Sequence, residues 1–292
     1  MTTVRVAVPR KGRPLEAVLE QVGRMGGVTD RLDRVASTLR YEKAATKGTQ
    51  STDRGVYDRL AEYSNPGGGP EYTLLRDGRD GMPRRIVFDS MTIDLPEADL
   101  QLIGREEPFR ALRKHEFALG FDSADLVLEE VVQLRPEPLS SLAELNDRID
   151  PRDTDVRVAG GLGDTVYHTL LSTPDVTNDP TREFVRGYEG PLCISPRYER
   201  LVEAVLGSTA VDGVEFRYPD RPEEEAAVAA CGLGVYLTVT GSTARDHGLC
   251  VGEKLFPSET VLLENPIETT EAAAALSSRL VSEALDAAQP RR

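Results

Sequence analysis

Thr240-Gly241-Ser242-Thr243-Ala244-Arg245 brings hydroxyls, a glycine and a guanidinium together within six residues. The run Val235-Tyr236-Leu237-Thr238-Val239 before it is apolar and β-branched, and Gly248 can end the short segment after it. The order is strand, hydroxyl-rich turn, helix start. A helix N-terminus offers unpaired N–H groups and the positive end of the helix dipole. Gly241 lets a ligand approach the backbone, and Thr240, Ser242 and Thr243 add donors, so the expected guest is a phosphate. An ordinary N-cap uses the same residue types, since Ser and Thr oxygens accept from the second or third helical N–H.

A second basic, glycine-containing loop lies near the start. Arg5-Val6-Ala7-Val8 reads as a strand stopped by Pro9, and Leu15, Val18, Leu19 and Val22 then fall at helical spacing. Between them Lys11, Gly12 and Arg13 form a second candidate anion site, or else a solvated strand-to-helix loop. His115, His168 and His247 are scattered and read as structural or exposed. Cys193, Cys231 and Cys250 have neither disulfide-framework nor zinc-site spacing. Catalytic residues and metal ligands stay unassigned at this level.

The elements that must carry these loops alternate. Strands are expected over 86–88, 99–103, 117–121, 156–159, 192–195, 214–218, 249–256 and 260–263. Helices are expected over 108–115, 198–206, 223–230 and 268–288. Residues 41–85, with the cluster Asn65-Pro66-Gly67-Gly68-Gly69-Pro70, read as a mobile loop. Residues 136–151, rich in charge and proline, read as a crossover between lobes. Gly160-Gly161-Leu162-Gly163-Asp164 lacks the spacing of a dinucleotide fingerprint. Strands alternating with helices give an α/β fold with mostly parallel sheets and helices on both faces. The expected division is 1–150 plus 256–292 in lobe I, and 151–255 in lobe II.

Composition narrows the function classes. The chain has 292 residues, 39% of them hydrophobic, enough for sizeable cores. No apolar run is long enough to span a bilayer, and the start lacks the pattern of a signal peptide, so a cytoplasmic, membrane-free protein is expected. The formal net charge is −14, from 49 acidic against 35 basic residues, which argues against nucleic-acid binding. Lysine occurs only at 11, 43, 47, 114 and 254. Carboxylate surplus with little lysine fits a protein kept soluble in high salt; a high-GC coding bias explains the arginine preference equally well.

Three regions, in order, resemble the catalytic subunit of ATP phosphoribosyltransferase, the first enzyme of histidine biosynthesis. Val6-Ala7-Val8-Pro9-Arg10-Lys11-Gly12-Arg13 is similar to its opening strand and Lys-Gly-Arg loop. Phe117-Ala118-Leu119-Gly120-Phe121-Asp122-Ser123-Ala124-Asp125-Leu126 resembles a second segment of that family. Val239 to Leu249 resembles its Thr-Gly phosphate loop, and the likeness continues through Thr260-Val261-Leu262-Leu263-Glu264-Asn265-Pro266. The resemblance implies a bilobal fold of the type II periplasmic-binding kind with the substrate cleft between lobes. It also implies 5-phosphoribosyl pyrophosphate (PRPP) as donor and ATP as acceptor. The 5′-phosphate would sit on Thr240–Arg245, and the pyrophosphate near Lys11, Gly12 and Arg13 with Mg²⁺ bridging its oxygens.

Two departures stand out. Where the family carries acids that can bond the ribose hydroxyls, this sequence has Tyr236 and Gly232; Tyr236 and Glu223, which matches a family Glu, are the candidates on the ribose or acceptor side, with a solvated helix start as the alternative reading of Glu223-Glu224-Glu225. About fifty residues follow the loop, too few for the histidine-sensing domain of long-form members, so a separate regulatory subunit or a homo-oligomer is an expected kind of partner. The alternatives are a homologue with another acceptor, or a non-catalytic regulatory or ligand-binding protein of the same fold.

Overall fold

The computed structural model describes residues 2–76, 84–96, 98–219 and 224–288. The chain opens with β1 (Thr3–Pro9), α1 (Arg13–Gly26), α2 (Thr29–Thr46), α3 (Val56–Tyr63), β2 (Glu71–Leu75), β3 (Arg85–Asp94) and β4 (Asp99–Arg105). Then come α4 (Pro108–Arg113), β5 (Leu119–Ser123), α5 (Ala124–Val131), β6 (Arg157–Gly161), β7 (Val166–Ser172), α6 (Arg182–Arg186) and β8 (Gly190–Cys193). It continues with α7 (Glu199–Leu206), β9 (Val214–Arg217), α8 (Glu224–Cys231), β10 (Leu233–Thr238) and α9 (Ser242–Asp246). It closes with β11 (Cys250–Ser258), β12 (Thr260–Glu264) and α10 (Glu271–Ala288).

These elements form two compact units. Unit one is Met1–Asp122, Asp155–Asp164 and Thr260–Arg292; unit two is Ser123–Thr154 and Thr165–Glu259. This division differs from the expected one over three segments: 123–150 and 256–259 belong to unit two, and 155–164 to unit one. The stretch 136–151 belongs wholly to unit two, where Leu139 N–H donates to Ala204 O and Ser208 N–H to Arg135 O. Residues 155–164 belong to unit one because β6 pairs with β12.

Unit one is built on a seven-stranded sheet ordered β2-β3-β4-β1-β5-β12-β6. β1 lies parallel to both β4 and β5, while β3 is antiparallel to β2 and β4. Val6, Val8, Phe88, Leu102 and Phe121 fill its core together with Leu15, Val18, Leu19 and Val22 of α1, the face anticipated from their spacing. Unit two carries a five-stranded sheet ordered β11-β7-β10-β8-β9. There β8 is parallel to β9 and β10, and β7 is antiparallel to β10 and β11. The fold is α/β as expected, but both sheets are mixed rather than mostly parallel. The few residues joining β3 to β4 permit only an antiparallel pair, because a parallel one needs a long crossover.

Residues 41–85 are more ordered than expected. α2 runs to Thr46, and α3 and β2 follow; residues 47–55 and the Asn65–Pro70 cluster connect these elements, the cluster being closed by Asn65 N–H to Pro70 O at 3.0 Å. Residues 77–83 of this stretch lie outside the described residues. A buried ion pair ties α3 to α2: Arg59 Nε and NH2 donate to the two Glu42 carboxylate oxygens at 2.8 and 2.9 Å, and Tyr63 OH donates to Glu42 at 3.2 Å. Among the described residues no helix is long and apolar enough to cross a membrane.

Candidate functional site

In unit two β8, β9 and β10 run parallel, so their carboxyl ends share one edge of the sheet. β7 runs the other way and brings its first residues to the same edge, with Tyr167 opposite Thr238 and His168 opposite Leu237. Open α/β sheets bind ligands at the carboxyl ends of their strands.

The Thr-Gly loop leaves β10 at this edge. Gly241 has φ 70° and ψ 13°, the left-handed conformation that glycine adopts at least cost, and α9 starts at the next residue. Ala244 and Leu249 are buried and anchor the turn, while Thr240, Ser242, Thr243 and Arg245 are exposed. Thr240 Oγ1 and Ser242 Oγ are 3.1 Å apart, and one Arg245 NH1 donates to Thr240 O at 3.1 Å. No side chain caps α9. The N-cap position is Gly241, and Thr240 Oγ1 accepts from Ser242 N–H at 3.4 Å, so the first N–H of α9 finds a hydroxyl partner within the loop itself.

The loop and the end of β10 enclose a concavity of about 220 Å³. Tyr236, half-buried, lines it, and so does Glu225 of α8. Glu223, the acid singled out from the sequence, lies outside the described residues. Glu225 was not singled out; its only sequence signal is its place in the Glu223-Glu224-Glu225 run. Gly232 has φ 96°, and a Cβ there would lie 3.0 Å from Val176 Cγ2, so the tight turn into β10 explains glycine at this position.

The basic loop of unit one lies at the carboxyl end of β1, where Gly12 has φ 86° and precedes α1. Its two cations differ. Arg13 NH1 donates to Asp164 Oδ2 at 2.6 Å and also to the Asp164 backbone oxygen. Asp164 in turn accepts from Thr260 N–H and Oγ1, each at 2.7 Å. Lys11 is half-buried and has no ion pair among the described residues.

The histidines divide as well. His115 is half-exposed beside Glu268 at 3.1 Å, and His247 is exposed. His168 is buried: its Nε2 lies 3.2 Å from Asp125 Oδ2, and its ring meets Tyr198 edge-on at 4.9 Å. Burial alone would raise the Asp125 carboxyl, but hydrogen bonding and charge from His168, with bonds from Ser123 and Ser258, hold it down at about 2. His168 also lines a second concavity of about 200 Å³ at the same edge, with Ser195, Arg197, Tyr198 and Tyr236. Among the described residues no group of three or more His, Cys, Asp or Glu is arranged to hold a metal.

A family model described as halobacterial ATP phosphoribosyltransferase matches residues 1–290. No curated protein matches the chain. Among solved structures, the ATP phosphoribosyl transferase (HisG:HisZ) complex from Thermotoga maritima is similar at 13% identity, with 98% of this chain and 100% of that chain covered and a TM-score of 0.47. YhfZ from Shigella flexneri is similar at 10% identity, with 100% and 94% covered and a TM-score of 0.46. An arginine-bound ArgBP from T. maritima is similar at 9% identity, with 98% and 95% covered and a TM-score of 0.39.

Proposed function

The chain belongs to the halobacterial ATP phosphoribosyltransferase family, and on that basis we propose that it transfers the 5-phosphoribosyl group of PRPP to ATP with release of pyrophosphate. The observation that supports this most is the Thr240–Arg245 loop: a left-handed glycine, exposed hydroxyls and a short helix start at the carboxyl end of a strand. In this reading the loop takes the 5′-phosphate. Phosphate binding remote from the reacting carbon helps hold ribose C1 in place for attack.

A ring nitrogen of the acceptor attacks C1 as the bond to pyrophosphate breaks, and the leaving group departs with the electron pair. Positive charge grows on the sugar and negative charge on the leaving oxygens. Fixed N–H groups and cations stabilise that charge, and no protein nucleophile is required. Lys11, Gly12 and Arg13 are assigned to the pyrophosphate, with Lys11 the more available cation because Asp164 already engages Arg13. Glu225 is assigned to the ribose hydroxyls, supplying the carboxylate that neither Tyr236 nor Gly232 provides.

Mg²⁺ enters this scheme with the substrate. It usually needs only one or two protein carboxylates beside phosphate oxygens and water. A separate regulatory subunit or a homo-oligomer completes the proposal. ATP-dependent release of pyrophosphate from PRPP by the purified chain tests the reaction, and the mass of the species in solution tests the assembly.

A further inference from the structure

We propose that Cys193 and Cys231 are a thiol pair that closes reversibly to a disulfide when a low-molecular-weight disulfide enters the concavity they share. The inference does not depend on the reaction assigned above.

The fold brings the two together from distant points in the chain. Cys193 is the last residue of β8, and Cys231 is the last residue of α8. β8 lies beside β10 with Cys193 opposite Gly234, so the end of α8, just before β10, arrives at the same spot. There the backbone N–H groups of Leu233 and Cys193 donate to the Cys231 sulfur. A cysteine sulfur stands three bonds from its own backbone nitrogen. Two sulfurs that flank one nitrogen are therefore brought into contact by rotation about χ1, whose staggered positions are each available.

Ordinary core cysteines pack as small hydrophobic groups out of reach of reagents. These two line a concavity of about 320 Å³, together with Arg217, Tyr218, Ala227 and Ala230. Arg217, Tyr218 and Ala230 are exposed, so the concavity opens to solvent. Cys231 is half-buried and Cys193 is buried, which divides the roles: a reagent meets Cys231 first, and Cys193 resolves. Burial pushes the Cys231 thiol up, while the two N–H groups and the Arg217 charge favour its thiolate. Cys250 stands apart, its Sγ 3.8 Å from Asn178 Oδ1.

The exchange balances in two steps. The Cys231 thiol loses its proton and its sulfur attacks the reagent RS–SR; that S–S bond breaks, and the departing RS⁻ takes the electron pair and then the proton. The Cys193 sulfur displaces the second RS⁻ from the mixed disulfide in the same way. Two protein thiols are oxidised to one disulfide, and RS–SR is reduced to two RSH. The core around the pair also holds Ala244 and Leu249, which anchor the Thr-Gly loop, so the bond fastens the floor beneath that loop.

Hydroxyethyl disulfide is the probe, added to the folded full chain carrying Cys250→Ser, with thiol counting and peptide mass mapping as the readouts. The expected product has lost both thiols, retains no reagent and yields a linked Cys193–Cys231 peptide; dithiothreitol restores both thiols. Cys193→Ser should instead keep one reagent half attached to Cys231. In urea the ratio of mixed to linked disulfide should rise about tenfold or more, because the fold no longer holds the sulfurs together. If Cys250→Ser fails to fold, the unaltered chain is mapped in the same way. Reagent retained on Cys231 with Cys193 present, thiols that stay unreacted in the folded chain, or the same ratio with and without urea overturns the proposal.

Discussion

Gly241 lies over Val251: a Cβ added to the glycine would sit 2.9 Å from Val251 Cγ2. The glycine is thus required twice, once by its left-handed backbone and once by the close approach of β11. Gly241→Ala should lower PRPP affinity by about tenfold or more, near 1.4 kcal/mol, and cost roughly 1–3 kcal/mol of stability. Adding Val251→Ala relieves the contact but not the φ, so affinity should return only in part. Isothermal titration with PRPP, alongside urea unfolding, reads both effects. Unchanged affinity in a folded Gly241→Ala protein would remove the loop from the phosphate assignment.

The two cations of the basic loop should not be equivalent. Lys11→Ala should weaken PRPP several-fold more than Arg13→Ala, because Asp164 already holds the Arg13 guanidinium. Ribose 5-phosphate, which lacks the pyrophosphate, should bind both variants as it binds the unaltered chain. Equal losses for PRPP and ribose 5-phosphate would count against a pyrophosphate role.

For Glu225, the conservative change Glu225→Gln keeps the size and removes the charge. PRPP should bind about tenfold less well, while inorganic phosphate competes for the loop as before, since phosphate has no ribose hydroxyls to offer. A variant with full PRPP affinity and unaltered turnover would show that this carboxylate does not face the sugar.

Asp125 gives a pH signature. Its folded carboxyl titrates at about 2, below its ordinary 3.8, so folding favours the charged form. That stabilisation is complete above about pH 4 and is lost as pH falls from about 4 through about 2. The difference of nearly two units corresponds to roughly 2 kcal/mol. The stability gap between the unaltered chain and Asp125→Asn, measured by urea unfolding, should therefore narrow by about that amount between pH 6 and pH 2. A gap of constant size across that range would contradict the charged-pair account.

Local pattern made some of this legible and left the rest hidden. The apolar face of α1 and the break between β10 and α9 follow from residue spacing and from glycine, and the chain alone shows them. The helix α3 does not, because its docking depends on Arg59 meeting Glu42 seventeen positions away in a burial that composition reads as solvated charge. Mixed sheet pairing was missed for a related reason: alternation of strands and helices says nothing of the short β3–β4 connection that forces an antiparallel neighbour. In the site, the hydroxyl loop was visible as a run, whereas Glu225 and the Asp125–His168 pair were not. Glu225 reaches the loop only through the packing of α8, and Asp125 and His168 meet only when β7 and α5 are packed.

The central claim is phosphoribosyl transfer, and its direct test is pyrophosphate release from PRPP with Mg²⁺, with and without ATP, at low and high salt. The account expects release that requires ATP and matches, mole for mole, a new phosphoribosylated nucleotide. Tight PRPP binding with no ATP-dependent release at either salt concentration would contradict it.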